Sequence, residues 1–159
     1  MLSASDLRER LIGAWSLVDI DFRIENATND LVSYSDDTGT RGILLYTPDG
    51  YMSVQISQSS APRSAIAVPG SVSEEAEVRT FIRGFIAYSG RFDIKEHKGR
   101  LHLMHFVELC NFPNGQGDVQ ERTADLEGDF LQLSTDTAIS GMAEFQSATL
   151  RWKRIDIGV

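Results

Sequence analysis

The sequence lacks the features that would place it outside the cell or in a membrane. Cys110 is the only cysteine, so no disulfide can form within the chain. No apolar run approaches the roughly 20 residues that a membrane-spanning helix needs. Residues 1–6 have neither the basic nor the apolar region of a secretory signal. These absences predict a cytoplasmic protein without a membrane partner.

Basic residues are also scarce: 15 Lys and Arg stand against 23 Asp and Glu, which gives a net charge of −8. A nucleic-acid partner is therefore not expected, because phosphate backbones are bound by clustered cations. With 159 residues, of which 42% are apolar and 24% charged, the chain has the size and composition of one soluble domain, 1–159.

Residue patterns that hold metals or nucleotides are missing as well. His102 and His105 are three apart on a predicted strand and so face opposite sides, while His97 stands in a turn. Cys and His residues do not cluster with ligand spacing. Gly115-Gln116-Gly117 lies between two predicted strands and opens no helix, unlike a nucleotide-binding loop. We expect neither a metal nor a cofactor.

The sequence does contain a series of short segments with the alternation typical of strands. Pro48-Asp49-Gly50 between two apolar runs indicates a hairpin, because Pro presets the turn and Gly takes the positive φ. The eight predicted strands cover about residues 14–24, 42–47, 51–56, 85–95, 100–110, 119–126, 129–134 and 147–155. In mostly hairpin order they predict an all-β fold, an antiparallel barrel of about eight strands.

Two helices are predicted beside the strands. The first covers about residues 4–12, is capped by Ser3 or Ser5, and is expected to plug or flank one barrel end. The second covers about 72–84, where a capping box precedes apolar residues at helical spacing. The polar stretch from Glu25 to Gly39 is predicted to be a loop.

The more apolar face of each strand should be the buried one, and this assigns an inward face to four strands. The residues predicted to face inward are Ile86, Tyr88, Gly90, Phe92, Ile94, Leu101, Leu103, His105, Val107, Leu109, Gln120, Arg122, Ala124, Leu126, Leu131 and Leu133. Symmetric turns would pair these residues with one another. The predicted pairs are Phe92 with Leu103, Gly90 with His105, His105 with Arg122, Arg122 with Leu133 and Ala124 with Leu131.

This arrangement makes His105 and Arg122 polar neighbours in an otherwise apolar cavity. Gly90 is expected to leave space beside them, and Tyr88 lies one diagonal step away. Burying an imidazole and a guanidinium is costly unless they are hydrogen-bonded or paired, so they form either an internal network or contacts to an oxygen-rich ligand. The residues predicted to line the ligand are Gly90, Phe92, Leu103, Val107, Ala124, Leu131, Leu133, Met52 and Val54.

The first strand has two conflicting faces. Asp19 and Asp21 share the face of Trp15 if the strand is regular, but Val18 and Ile20 make the other face more apolar. Either a β-bulge switches the faces after Trp15, or the aspartates enter the cavity.

Other side chains are also ambiguous. No face is assigned to Tyr46, Tyr51 and Glu108. Alternation places Cys110 on the face opposite His105, and a lone buried cysteine is usually inert. At the chain ends, we expect Arg154 to lie against Trp15 as a cation–π contact that closes one end of the barrel.

Short motifs follow one another along the chain in a distinctive order. They are Gly13-Ala14-Trp15, Tyr46-Thr47-Pro48-Asp49-Gly50-Tyr51-Met52-Ser53, Tyr88-Ser89-Gly90-Arg91-Phe92, His105-Phe106-Val107-Glu108, Asn111-Phe112-Pro113-Asn114, Leu126-Glu127-Gly128-Asp129 and Leu150-Arg151-Trp152-Lys153-Arg154. From about residue 10 to 155 the chain resembles the lipocalin-like domain family of small bacterial and fungal proteins. One departure follows Pro113, where an aromatic residue is expected and Asn114 stands.

The resemblance implies a lipocalin-like β-barrel and says less about activity. Related lipocalin-like proteins of natural-product pathways are cofactor-free cyclases or isomerases that fold a reactive polyketide or terpenoid inside the barrel. Others are thought only to bind their ligand.

The first functional hypothesis is a cofactor-free cyclase or isomerase acting on an apolar, oxygenated secondary metabolite. His105 is then the general acid/base, Arg122 binds the oxyanion, and Tyr88 donates a hydrogen bond or orients His105. The alternative is a non-catalytic carrier of a small hydrophobic or amphipathic ligand. A third hypothesis, a structural domain with a filled core, fits the inward polar groups poorly. A homodimer is compatible with three aromatic residues predicted to face outward, Phe106, Phe112 and Phe130.

Overall fold

The computed structural model describes residues 2–25, 31–35, 39–57, 84–111, 115–135 and 145–156. This part of the chain contains one helix and nine strands. The elements are α1 (Ala4–Leu11), β1 (Gly13–Glu25), β2 (Leu31–Ser35), β3 (Arg41–Tyr46), β4 (Tyr51–Ser57), β5 (Phe85–His97), β6 (Arg100–Cys110), β7 (Val119–Glu127), β8 (Phe130–Thr135) and β9 (Phe145–Arg154). The helix predicted over about 72–84 and the loop after Pro113 fall largely outside the described residues.

The strands form a closed barrel. From β3 to β9 each strand pairs antiparallel with the next, and β9 pairs antiparallel with β1. Residues 13–16, at the start of β1, pair with β3 along the edge of β1 opposite to β9. Eight strands, β1 and β3 to β9, therefore close into an antiparallel barrel, as the hairpin order predicts.

The prediction of a loop from Glu25 to Gly39 is wrong in the middle of this stretch, where β2 forms. β2 pairs antiparallel with residues 21–25, along the edge of β1 that β3 leaves unpaired. Unpaired backbone groups on that edge favour an added strand. At five residues, β2 is too short for its alternation to stand out from a polar surrounding.

A β-bulge resolves the conflicting faces of β1. The register with β9 shifts between Leu17 and Asp19, which leaves Val18 as the extra residue. Trp15 and Ile20 are both buried, while Val18 and Asp19 are exposed. The bulge alternative is therefore correct, and Asp19 points away from the barrel interior.

A second bulge lies in β6 at Glu108, where the register with β5 shifts. It reverses the alternation beyond that point. Leu109, predicted to face inward, is 66% exposed. Cys110 pairs with Tyr88 and so shares its face of the sheet, contrary to the prediction.

The predicted registers are all wrong by two residues. Lys98 and Gly99 both have positive φ and form a two-residue turn, so His97 pairs with Arg100. The observed pairs include Phe92 with His105, Gly90 with Val107, Leu103 with Arg122, His105 with Gln120, Leu126 with Leu131 and Ala124 with Leu133. A shift of two residues preserves the face, so the nine predicted ligand-lining residues are all buried.

α1 lies at one end of the barrel. The Ser3 hydroxyl accepts a hydrogen bond from the backbone amide of Asp6 at 3.1 Å, and the Asp6 carboxylate accepts from the Ser3 amide at 3.2 Å. This capping box starts the helix, and Ser3 is the cap of the two that were predicted. Leu7 and Leu11 are fully buried against the barrel core.

The same end carries the predicted contact between Arg154 and Trp15. The guanidinium carbon lies 4.2 Å from the centre of the indole ring. Arg154 also donates to the carbonyl oxygen of Ile12 at 3.0 Å and to that of Arg10. The Trp15 indole donates to the carbonyl of Leu11 at 2.9 Å. The start of β1 and the end of β9 are thus hydrogen-bonded to the end of α1 and the residue after it, and the cation–π prediction is confirmed.

Candidate functional site

His105 lies at the centre of a buried polar cluster. Its side chain, on β6, is only 1% exposed. The Tyr46 hydroxyl on β3 lies 2.9 Å from Nε2, and the Tyr88 hydroxyl on β5 lies 3.0 Å from Nδ1. Both ring nitrogens are therefore occupied by tyrosine hydroxyls.

Burial determines the charge of this cluster. Desolvation, assisted by the Arg122 guanidinium, lowers the pKa of His105 to about 3. Desolvation also raises the pKa of Tyr46 well above its usual value and raises that of Tyr88. At neutral pH all three side chains are uncharged.

Arg122 supplies the positive charge of the site. It lies on β7 and is 9% exposed. Its guanidinium donates to the carbonyl of Glu121 at 2.8 Å and to Oε1 of Gln120 at 3.2 Å, and its charge lowers the pKa of Tyr88 against the effect of burial. Both acceptors are neutral. Among the described residues, no carboxylate lies within 4.0 Å of the guanidinium.

The hydrogens of the cluster can be counted. A guanidinium only donates, so Arg122 accepts no hydrogen from the cluster. Neutral His105 has one N–H, and the two tyrosines have one O–H each. Three hydrogens are therefore available for the two contacts of His105 with Tyr46 and Tyr88, and each contact uses one. Whichever tyrosine accepts from the imidazole keeps a hydroxyl hydrogen that it can direct to another acceptor.

Apolar and aromatic side chains surround the polar cluster. The Phe92 ring meets Tyr46 edge-on, with centroids 4.9 Å apart and planes at 69°. Further buried apolar residues of the interior are Met52, Val54, Leu103, Val107, Ala124, Leu131 and Leu133. The cluster is therefore placed in a mainly apolar barrel interior.

Gly90 has a different role from the one expected. A Cβ at this position would lie 1.7 Å from the carbonyl oxygen of Phe106. The glycine allows β5 and β6 to approach closely beside the bulge. It contributes to the shape of the strand pair and does not create space beside His105.

The three predicted polar residues, Tyr88, His105 and Arg122, come together in one cluster. They do so in a different register, because Gln120 stands opposite His105 and Leu103 stands opposite Arg122. Tyr46 was left unassigned by sequence reasoning. Its signal is the alternation of β3, where Gly42, Leu44 and Tyr46 share the buried face.

Two other unassigned residues lie outside the cluster. Tyr51 is 45% exposed, and Glu108 is exposed and faces Arg91 at 3.9 Å. In the described ranges, His, Cys, Asp and Glu side chains form no group of three or more that could hold a metal ion. The described helix is too short to cross a membrane.

Comparison with known proteins yields a family and a relative. The sequence model of a lipocalin-like domain matches residues 12–155, from the residue before β1 to the residue after β9. A protein of Aspergillus oryzae named "4'-hydroxy-3'-methoxypropiophenone carrier protein ppsC" is 33% identical over 87 residues. The aligned stretch covers 51% of this chain and 77% of that relative.

Proposed function

The chain belongs to the family of lipocalin-like domains, and we propose that it is a carrier that binds a small, mainly apolar, oxygenated ligand inside the barrel. The observation that carries this proposal is the buried guanidinium of Arg122, whose partners are all neutral. A buried charge of this kind is stabilised by a ligand oxygen. The apolar walls around it suit the remainder of the ligand.

The similar carrier protein supports a class of ligand. Its named ligand is an arene with a hydroxyl, a methoxy and a ketone group. The interior of this barrel offers matching features: aromatic rings at Tyr46, Tyr88 and Phe92, and hydrogen-bond donors on the Arg122 guanidinium. We therefore propose aryl ketones and related oxygenated aromatics as ligands.

A cofactor-free cyclase or isomerase is the second candidate function. The influence of the Arg122 charge on the pKa of Tyr88 favours it, because a guanidinium and a phenol close to one another can stabilise an enolate oxygen. Acid/base catalysis by His105 has weaker support. With its pKa lowered to about 3 and both nitrogens occupied, the imidazole is a poor base near neutral pH. Binding alone needs no such proton transfer.

A binding and recovery experiment separates the two candidates. Purified protein is titrated calorimetrically with 4'-hydroxy-3'-methoxypropiophenone and with 4'-hydroxypropiophenone, and the bound compound is then extracted and identified by mass spectrometry and chromatography. A carrier returns the compound unchanged. A changed mass or retention time indicates an enzyme, and failure of both compounds to bind contradicts the proposed ligand class.

Two arginine variants serve as a matched pair for this experiment. Arg122→Gln removes the buried guanidinium, and Arg91→Gln removes an arginine whose side chain is 67% exposed on the outside of β5. The proposal expects weaker binding in the first variant only. Equal affinity in both variants contradicts the role of Arg122.

A further inference from the structure

We propose that the ligand is bound as an anion: a weakly acidic hydroxyl of an aromatic or enolised compound loses its proton to solvent, and the oxyanion lies against the Arg122 guanidinium. This inference rests on the proposed carrier function and specifies the chemical class of its ligand. The bond that breaks is the ligand O–H, and no other covalent change is involved.

The charge inventory of the site carries the inference. Arg122 is 9% exposed, and the acceptors of its hydrogen bonds are a backbone carbonyl and the Gln120 amide. In the described part of the chain no carboxylate lies within 4.0 Å of it. A neutral ligand leaves this buried charge unbalanced, whereas an oxyanion neutralises it through a charge-assisted hydrogen bond.

The neighbouring titratable groups cannot supply the negative charge. Tyr46 on β3 and Tyr88 on β5 have raised pKa values, and His105 on β6 has a pKa lowered to about 3. Between about pH 5 and pH 9 all three stay neutral. The charge has to come from outside this cluster.

Among the described residues of β1, β4, β8 and β9, no buried side chain is titratable. The pairing of Thr123 with Ser134 places Thr135 of β8 beside Arg122, and Thr135 pairs with Ala148 of β9. On β1 the described buried residues are Trp15 and Ile20. The pH dependence of binding in the neutral range is therefore expected to follow the ionisation of the ligand.

The surroundings favour a delocalised oxyanion over a carboxylate. The rings of Tyr46 and Tyr88 lie with their centroids 5.8 and 5.9 Å from that of the His105 imidazole, and Phe92 packs against Tyr46. A phenolate or enolate spreads its charge into a flat apolar framework, so it loses less hydration on entering such an apolar interior than a carboxylate does.

The expected effect is a lowered pKa of the ligand itself. An opposite charge within a few ångströms lowers the pKa of an acid by about one to three units, which corresponds to at least tenfold tighter binding of the anion. About one proton is then released to the buffer for each ligand bound below the pKa of the free ligand.

The test uses the purified full chain and three probes: 4'-hydroxypropiophenone, its ether 4'-methoxypropiophenone, and 4-propylbenzoate. Phenolates absorb at longer wavelength than phenols, so a spectrum at a pH below the pKa of the free phenol reports which form is bound. Calorimetry in two buffers of different ionisation enthalpy counts the released proton. Arg122→Gln, Arg122→Lys and Arg91→Gln are measured beside the unaltered chain.

The inference expects a phenolate spectrum on binding, proton release, and at least tenfold weaker binding of the ether. Arg122→Gln abolishes the phenolate band, while Arg91→Gln retains it. If Arg122→Gln does not fold, Arg122→Lys and the spectrum of the unaltered chain decide the question.

Three other outcomes overturn the inference in distinguishable ways. Equal binding of the phenol and the ether, with the neutral spectrum, leaves the carrier function intact and excludes an anionic ligand. Tightest binding of 4-propylbenzoate replaces the hydroxyl class with carboxylates. Failure of all three probes contradicts the proposed carrier function together with the inference.

Discussion

The hydroxyl of Tyr46 lies 2.9 Å from Nε2 of His105, and the contact joins β3 to β6, two strands that are not neighbours in the sheet. No backbone ladder links these strands directly. A side-chain hydrogen bond across the barrel interior therefore fixes the orientation of an imidazole that is almost completely buried.

Tyr46→Phe is expected to destabilise the fold. The substitution keeps the ring that packs against Phe92 but leaves Nε2 of His105 without its partner. An unsatisfied buried polar atom costs about 1–3 kcal/mol, so the free energy of unfolding in urea should fall by that amount. Tyr51→Phe, at a half-exposed site, is the control and should stay within about 0.5 kcal/mol. Equal effects of both variants would contradict this role of Tyr46.

His105 makes the protein less stable at acid pH. Its pKa is about 3 in the folded chain against an ordinary 6.5. Below pH 6.5 the unfolded chain binds a proton that the folded chain does not, so the free energy of unfolding decreases as the pH falls. This contribution approaches about 1.4 kcal/mol per pH unit and is absent above neutral pH. Urea unfolding at steps from about pH 7 to pH 4 measures it.

A histidine pair provides the control for this pH dependence. His105→Gln removes the buried imidazole, and its unfolding free energy should depend less steeply on pH than that of the unaltered chain. His102→Gln removes a partly exposed histidine that contacts Glu121 at 2.7 Å. The unfolding free energy of this variant should keep the steep pH dependence of the unaltered chain just below neutral pH. Parallel pH profiles for the unaltered chain and His105→Gln would refute the assignment.

Gly90→Ala should severely disrupt the barrel. The added Cβ would lie 1.7 Å from the Phe106 carbonyl oxygen, so β6 has to move or the bulge has to open. We expect a loss of at least about 3 kcal/mol in the free energy of unfolding. Gly128→Ala is the control, because its Cβ meets no atom within 4 Å and only its φ of 56° is unfavourable. That control should lose about 1 kcal/mol. Similar losses at the two sites would argue against a close approach at Gly90.

Trp15 and Trp152 are buried indoles with unequal partners. Trp15 donates to Leu11 at 2.9 Å and stacks with Arg154, whereas the Trp152 N–H has no acceptor among the described residues. Replacing either with Phe removes similar volume, but only Trp15→Phe removes a hydrogen bond. Chemical denaturation should therefore show Trp15→Phe to be less stable than Trp152→Phe by about 1 kcal/mol. The reverse order would indicate an acceptor for Trp152.

Alternation predicted which side chains enter the barrel, but it could not predict their pairing. The face of a strand depends on the parity of its residues, and a register shift of two preserves parity. The two-residue turn at Lys98 and Gly99 moved His105 from opposite Gly90 to opposite Phe92 without turning it outward. The polar cluster was therefore predictable as a set of residues and not as a set of contacts.

Bulges and long-range contacts were beyond the sequence pattern. The extra residues Val18 and Glu108 reverse the alternation locally, and nothing in their chemistry marks them as bulged. Tyr46 reaches His105 across the barrel, a contact fixed by barrel closure and not by any hairpin. Local sequence thus determines the strands, while closure of the sheet determines the site.

Variants of Arg122 and Arg154 should affect different properties, ligand affinity in the first case and stability in the second. Arg154→Gln removes the stacking on Trp15 and the bonds to the carbonyls of Ile12 and Arg10, so we expect a loss of about 2 kcal/mol in the free energy of unfolding. Affinity for 4'-hydroxypropiophenone should not change, because these contacts lie beside α1 and do not involve the polar cluster around His105.

Arg122→Gln should give the opposite result. It loses hydrogen bonds to Gln120 and Glu121, but it also removes a buried charge that lacks a counter-charge, so stability should change by less than about 1 kcal/mol. Affinity should fall about tenfold or more. Urea denaturation and calorimetric titration of both variants measure the four quantities. A loss of affinity that merely follows the loss of stability in both variants would show that Arg122 supports the fold and does not bind the ligand.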